Sequence, residues 1–183
     1  MSEAPLESTE HGLAPAGPGW FVLNARDATW IERRGRGAYC DFEGFEDKAD
    51  FSQLGINLQV LAPGEPMAMY HYENDQEDFL VLAGRALLIV EGRERRLGRW
   101  DFVHCPAGTR HVIVGAGEVP CLILAVGARD RSTGPDWGAY TVEPAAISHG
   151  AGVEAETTDA DIAYARFPPS RRSQYRERWG LRP

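Results

Sequence analysis

Between residues 38 and 126 the chain alternates short candidate strands, many of them apolar, with turn residues. The candidates fall at 38–42, 55–61, 67–72, 78–82, 86–91, 94–97, 101–105, 111–114 and 121–126. Each has strand length, and many are rich in Val, Ile, Leu and Phe. Turn signals separate them: Pro63-Gly64, Ala83-Gly84, Glu91-Gly92, Pro106-Ala107-Gly108 and Gly115-Ala116-Gly117. No helical period of useful length interrupts the series. Short strands at regular spacing predict an all-β sandwich or barrel.

The two ends read differently. Residues 1–19 are rich in Pro, Gly, Ser and Glu and poor in apolar side chains, which predicts a disordered tail. Ordered structure is then expected to begin at Trp20-Phe21-Val22-Leu23. Residues 131–136 form a polar connector, and 139–142 fit one more strand. Pro168-Pro169-Ser170 ahead of 171–179, with Gly180 behind, predicts a short capped helix, Ser170 its N-cap and Gly180 its stop. Tyr175 and Trp179 would share a face of that helix, packed on the barrel or on a partner subunit. Arg171, Arg172, Arg176 and Arg178 would form its solvated face. The domain reading is a tail over 1–19, a barrel over 20–128 and an extension over 129–183.

Composition narrows the classes. A chain of 183 residues with 43% hydrophobic content can bury one core of useful size. A net charge of -8 argues against a nucleic-acid partner. Lys48 is the single lysine. No apolar run approaches the roughly 18 residues of a membrane helix, and no basic stretch followed by an apolar core marks a signal peptide. Cys40, Cys105 and Cys121 form no disulfide pattern, so reduced thiols in the cytoplasm are expected, with Cys105 and Cys121 as small buried hydrophobes. No Ser-His-Asp order, phosphate loop or dinucleotide fingerprint is visible.

The chemistry concentrates in two segments. In the first, His71 and Glu73 stand two apart, on one face of a strand. Glu77 opens the next run and shares a face with Phe79 and Val81. Carboxylates turned toward an apolar interior need a cation. In the second, the Pro106-Ala107-Gly108 turn leads into a strand beginning at His111, which supplies another imidazole if that strand lies beside the first pair. Two imidazoles and two carboxylates suit a divalent transition metal, Fe, Mn, Ni, Co or Zn, rather than a thiolate-preferring ion. The candidate ligands are His71, Glu73, Glu77 and His111; Glu73 alternatively stands as an acceptor beside the site or a solvated charge at its rim. Met67, Met69, Phe79, Val81 and Ile113 share faces with the ligands and are expected to line the pocket, which favours a small, partly apolar ligand. His104 shares a face with Phe102. If that face turns inward, His104 lines the pocket floor; otherwise it is a hydrogen-bonded core histidine.

These segments resemble the paired motifs of the cupin superfamily. Gly64, His71, Glu73, Glu77 and Gly84 fall on the first motif, and Trp100, Pro106, Gly108, His111 and Gly115 on the second, with residues 85–99 between them. The resemblance covers roughly residues 54–126. It departs from the family pattern at four points: one extra residue between Gly64 and His71, Trp100 in place of a Gly, Gly115 in place of an Asn, and Glu73 in place of the second His. The last touches the site and implies an altered metal preference or a metal-free pocket. The resemblance implies a double-stranded β-helix, or jelly roll, here with irregular termini and a short C-terminal helix. It also implies a homodimer, for which residues 20–42 are the candidate interface. Two functions are compatible with it: a metal-dependent oxygenase or isomerase acting on a small organic molecule, and a barrel that binds a sugar or metabolite without turnover.

Overall fold

Pairing between sequence-distant strands builds two facing antiparallel sheets. The computed structural model describes residues 2–43, 51–130 and 134–179. One sheet carries β5 (Leu54–Leu61), β7 (Glu77–Ala83), β10 (Phe102–Cys105) and β12 (Cys121–Ala128). The other carries β6 (His71–Glu73), β8 (Arg85–Val90), β9 (Arg93–Leu97) and β11 (His111–Ala116). Their orders, β10-β7-β12-β5 and β6-β11-β8-β9, are the two halves of a jelly roll. Side chains of Leu61, Phe79, Val81, Leu88, Ile113 and Ile123 meet between the sheets as the barrel core.

Segments from both ends widen these sheets. β3 (Trp30–Glu32), β4 (Ala38–Asp41) and β14 (Arg171–Ser173) extend the first beyond β5, and β13 (Gly138–Tyr140) pairs with β6 at the edge of the second. A second core lies on the outer side of the first sheet, where Trp30 packs with Cys40, Val60 and Trp179. Two short helices, α1 (Pro144–Ser148) and α2 (Ala160–Ala163), cover the second sheet. No helix among the described residues is long and apolar enough to cross a membrane.

Three sequence expectations are corrected. The tail over residues 1–19 contains a hairpin, β1 (Leu6–Thr9) with β2 (Gly12–Pro15), so ordered structure begins before Trp20. Bridges from Glu3 to Trp20 and from Leu13 to Ala28 dock the hairpin, so backbone pairing replaces the apolar burial that the composition lacks. The predicted helix over 171–179 is instead β14 followed by a 3-10 turn at Glu177–Trp179; Gly180, its expected stop, lies outside the described residues. The exposed edge of β3 captures this segment, with Arg172 opposite Ile31. Glu32 then pairs with Arg171, Arg176 and Arg178, so the arginine run is not simply a solvated face. Finally, β6 starts at His71 rather than Met67, and Pro66 makes only a single bridge to Val114. Lys48 and the start of the 131–136 connector also lie outside the described residues.

Two departures from the family pattern have local causes. Trp100 stands at φ 75°, the left-handed region where the pattern has Gly, and keeps its ring largely exposed against the Arg99 guanidinium. Gly115 packs against the loop after β5: a Cβ there would sit 2.2 Å from the Ala62 carbonyl oxygen, and the Gly115 carbonyl accepts from Gly64 N–H. An Asn cannot occupy that position while the lengthened loop lies against it.

The two tryptophans should separate in urea unfolding. Trp30 is fully buried, with Trp179 at 4.7 Å between ring centroids, and Trp30→Ala should lower stability by about 3–5 kcal/mol. Trp100→Gly should change stability by less than about 1 kcal/mol, because relief of the left-handed conformation offsets the lost ring contact and the added chain entropy.

Candidate functional site

The site forms where the two sheets face each other at the barrel mouth. His71 and His111 are direct partners across β6 and β11, so their side chains leave the same face, with ring centroids 5.0 Å apart. Glu77 reaches them from β7 in the opposite sheet. The Pro106-Ala107-Gly108 turn ties the segments together, since Gly108 N–H donates to the Glu73 carbonyl at 2.7 Å.

Both imidazoles are oriented by the same local device. His71 Nδ1 lies 2.8 Å from the Met69 carbonyl, and His111 Nδ1 lies 3.0 Å from the Thr109 carbonyl, each two residues back in the chain. A carbonyl only accepts, so each Nδ1 carries the proton and a neutral ring presents its Nε2 lone pair. Burial keeps the rings neutral. It drives His71 down to about 4, against the pull of the Met69 bond, and it lowers His111, with His71 adding to the effect.

The two lone pairs converge on Glu77. Its Oε2 lies 3.6 Å from His71 Nε2 and 3.5 Å from His111 Nε2, is buried, and has no hydrogen-bond partner. Burial also pushes the Glu77 carboxyl above its usual range, opposed by His111. Among the described residues, His71, Glu77 and His111 are the group whose donor atoms lie within 4.8 Å of one another. An ion about 2.0–2.2 Å from each donor needs donor separations of roughly 3.0–3.5 Å, which these side chains approach. The donor set therefore fits a divalent cation.

Glu73 stands apart from the other three. Its Oε1 lies 3.8 Å from His71 Nε2, on the shared face that alternation predicts, but it is not one of the three clustered donors. Burial, then the charges of Glu77 and Asp75, raise its carboxyl to about 8. It is therefore mostly protonated at neutral pH in the metal-free protein.

The cavity above these donors measures about 310 Å³, and Phe79 and Ile113 line it as expected, as does Met67. Three expected lining residues do not. Val81 is buried deeper in the barrel core, and Met69 packs under the extension against Tyr140, Val153 and Ala163. His104 points outward, half-exposed, with Nδ1 2.6 Å from Asp78 Oδ1, because Val103 and Cys105 take the inward positions of β10. The motifs also missed part of the wall. Arg33, Asn57 and Gln59 enter from the N-terminal side, and Trp137, Tyr140 and Tyr164 from the extension. Only the alternation Asn57-Leu58-Gln59-Val60 could have flagged any of them. A larger cavity of about 700 Å³, between the turn after β3 and the C-terminal segment, holds none of the three donors. Cys40, Cys105 and Cys121 are buried and free, with thiols pushed up to about 11–12 by burial, so none is a thiolate at neutral pH.

Part of the chain is similar to known proteins. The Cupin domain family pattern matches residues 57–127, which hold all three clustered donors and Glu73. Mannose-1-phosphate guanylyltransferase ManC of Salmonella typhimurium is 26% identical over 83 residues, 43% of this chain but 17% of the relative. The Escherichia coli enzyme of the same activity matches to the same extent, so the chain spans a small part of these curated relatives. Among solved structures, a putative sugar phosphate isomerase from Acidithiobacillus ferrooxidans is 25% identical over 51% of this chain and 60% of its own, at TM-score 0.45. A sugar phosphate isomerase of the cupin superfamily from Silicibacter pomeroyi is 28% identical over 57% of this chain and 62% of its own, at TM-score 0.44. With the jelly-roll topology and the motif residues facing one cavity, the match identifies residues 57–127 as a Cupin domain.

Proposed function

We propose that the protein holds a divalent transition metal on His71, Glu77 and His111 and uses it on a small organic molecule. The observation that carries this reading is the Glu77 Oε2 atom, buried without a hydrogen-bond donor and facing two imidazole lone pairs. An acceptor that meets only acceptors is costly, and a cation turns the same arrangement into three bonds. Two imidazoles and one carboxylate with open positions are the donor set of non-haem iron oxygenases, so an oxygenase is the favoured reaction class and an isomerase the second. Bound here, the ion would supply Lewis acidity and, as iron, dioxygen activation. The chain's own residues do the rest. Phe79 and Ile113 exclude water from the inner wall, and the Glu73 carboxyl beside His71 can hold or release a proton near neutral pH.

Elemental analysis tests the metal. Purified protein should carry about one equivalent of transition metal per chain, and His111→Ala should carry less than about a tenth. His104→Ala, altering the outward histidine, should keep the full content. A wild type without metal, or an unchanged His111→Ala, would overturn the reading. Oxygen uptake by iron-loaded protein over diols, β-diketones and thiols tests the reaction class; melting shifts without turnover would favour the binding-only barrel.

The titrating groups also set a pH dependence. In the metal-free protein the raised Glu73 contributes stability that is full below its ordinary 4.5 and is lost as pH rises through about 8. The lowered His71 contributes stability that is full above 6.5 and is lost as pH falls through about 4. A cation relieves the carboxylate repulsion at high pH and must displace protons at low pH. The rise in melting temperature on adding Mn²⁺ should therefore be larger at pH 8 than at pH 6; an equal or reversed difference would contradict this electrostatic account.

A further inference from the structure

The wall of the cavity opposite the barrel core has an unusual strand. On β5 the apolar Leu58 and Val60 face outward into the second core, while Asn57 and Gln59 line the cavity. Asn57 lies in register with Ala125, and Ala125 with Phe79, so these polar side chains share the inner face that carries Glu77. Gln59 is 6% exposed. It donates to Asn57 Oδ1 and accepts from Arg33 Nη2, each at 2.5 Å.

Arg33 is the endpoint of this chain and a lining residue of the cavity. Its second bond runs from Nη1 to the Met67 carbonyl at 3.2 Å, and its guanidinium lies over the Tyr39 ring. A guanidinium has five N–H donors; beyond these two bonds, Nε is buried without a partner. Among the described residues no carboxylate forms an ion pair with Arg33 or with Arg36, the neighbouring guanidinium buried against the Tyr164 ring at 4.0 Å. Glu65, whose field reaches Arg33, accepts from the Ala62 amide in its own loop. Arg36 Nε is also unpartnered. Burial, then the charge of Arg36, lowers Arg33 to about 10, which still leaves it cationic at neutral pH. A buried cation without a counterion is costly to the fold alone. On a cavity wall, that cost is relieved by an anionic ligand, and the planar fork suits a carboxylate or a phosphate.

We propose that Arg33 anchors the charged end of the ligand, which is a small organic anion bearing a carboxylate or phosphate whose other end reaches the His71, Glu77 and His111 donors. Only the second half of that statement rests on the metal reading above. The cavity volume of about 310 Å³ limits the ligand to a small one, at the lower end of the usual range. Trp137, Tyr140 and Tyr164 supply the aromatic side of the wall.

The test titrates full-length protein, its metal content measured in the same preparation, with malonate, phosphonoacetate and the neutral malonamide in a calorimeter. Malonate or phosphonoacetate should bind about tenfold or more tightly than malonamide, and the tighter of the two identifies the charged group. Arg33→Gln should lose that preference with metal content unchanged. Arg33→Lys, which keeps the charge but not the fork, should fold and bind the anion more weakly than wild type. Malonamide binding as tightly as the anions, no heat from either anion up to about 10 mM, or an unchanged preference in folded Arg33→Gln would overturn the proposal. If Arg33→Gln fails to fold, the Arg33→Lys titration decides, and unweakened anion binding there overturns it. Protein that binds the anion through Arg33 but carries no metal would sink the metal reading and leave this one standing.

Discussion

A buried carboxylate oxygen that faces two imidazole lone pairs is held by the fold and not by its own attractions. In the metal-free protein three acceptors point at one another: Glu77 from one sheet, His71 and His111 from the other. The Met69 and Thr109 carbonyls fix both rings from behind, so neither can turn away to relieve the contact. The rest of the barrel makes this convergence possible. Direct pairing of His71 with His111 fixes their common face, the Gly108–Glu73 bond sets the turn between the motifs, and the barrel core keeps the two sheets at the separation Glu77 needs.

The barrel alone would leave this site open. Segments from both ends complete it by adding strands and not by adding a domain. β13 pairs beside the His71 strand and brings Trp137 and Tyr140 to the rim. β3, β4 and β14 extend the other sheet, and the second core around Trp30 covers its outer face. That outer core explains why β5 can turn its polar side chains inward: Leu58 and Val60 have apolar partners outside, which frees Asn57 and Gln59 to carry Arg33 on the cavity wall.

The donors were legible because strand periodicity and motif spacing are local signals. His71 with Glu73, Glu77 with Phe79, and His111 after its Pro-x-Gly turn each follow from a few neighbouring residues. Alternation divides a strand into two faces without saying which turns inward, and His104 lies on the side that turns out. The hairpin over residues 6–15 and the pairing of β14 with β3 depend on distant backbone partners, so a polar composition and an arginine run gave no sign of them. Arg33, Tyr140 and Tyr164 lie outside both motifs, and their approach to the cavity is a product of tertiary packing. Glu73 is the intermediate case: its face was readable, whereas its 3.8 Å distance from His71 Nε2 depends on the side-chain conformation.

The most direct test of this account is a crystal structure with anomalous scattering collected across the absorption edges of Mn, Fe, Co, Ni and Zn. The account predicts one strong peak about 2.0–2.2 Å from His71 Nε2, His111 Nε2 and Glu77 Oε2. Crystals grown with added metal that show no peak there, with Glu77 turned to a hydrogen-bond donor elsewhere, would contradict it.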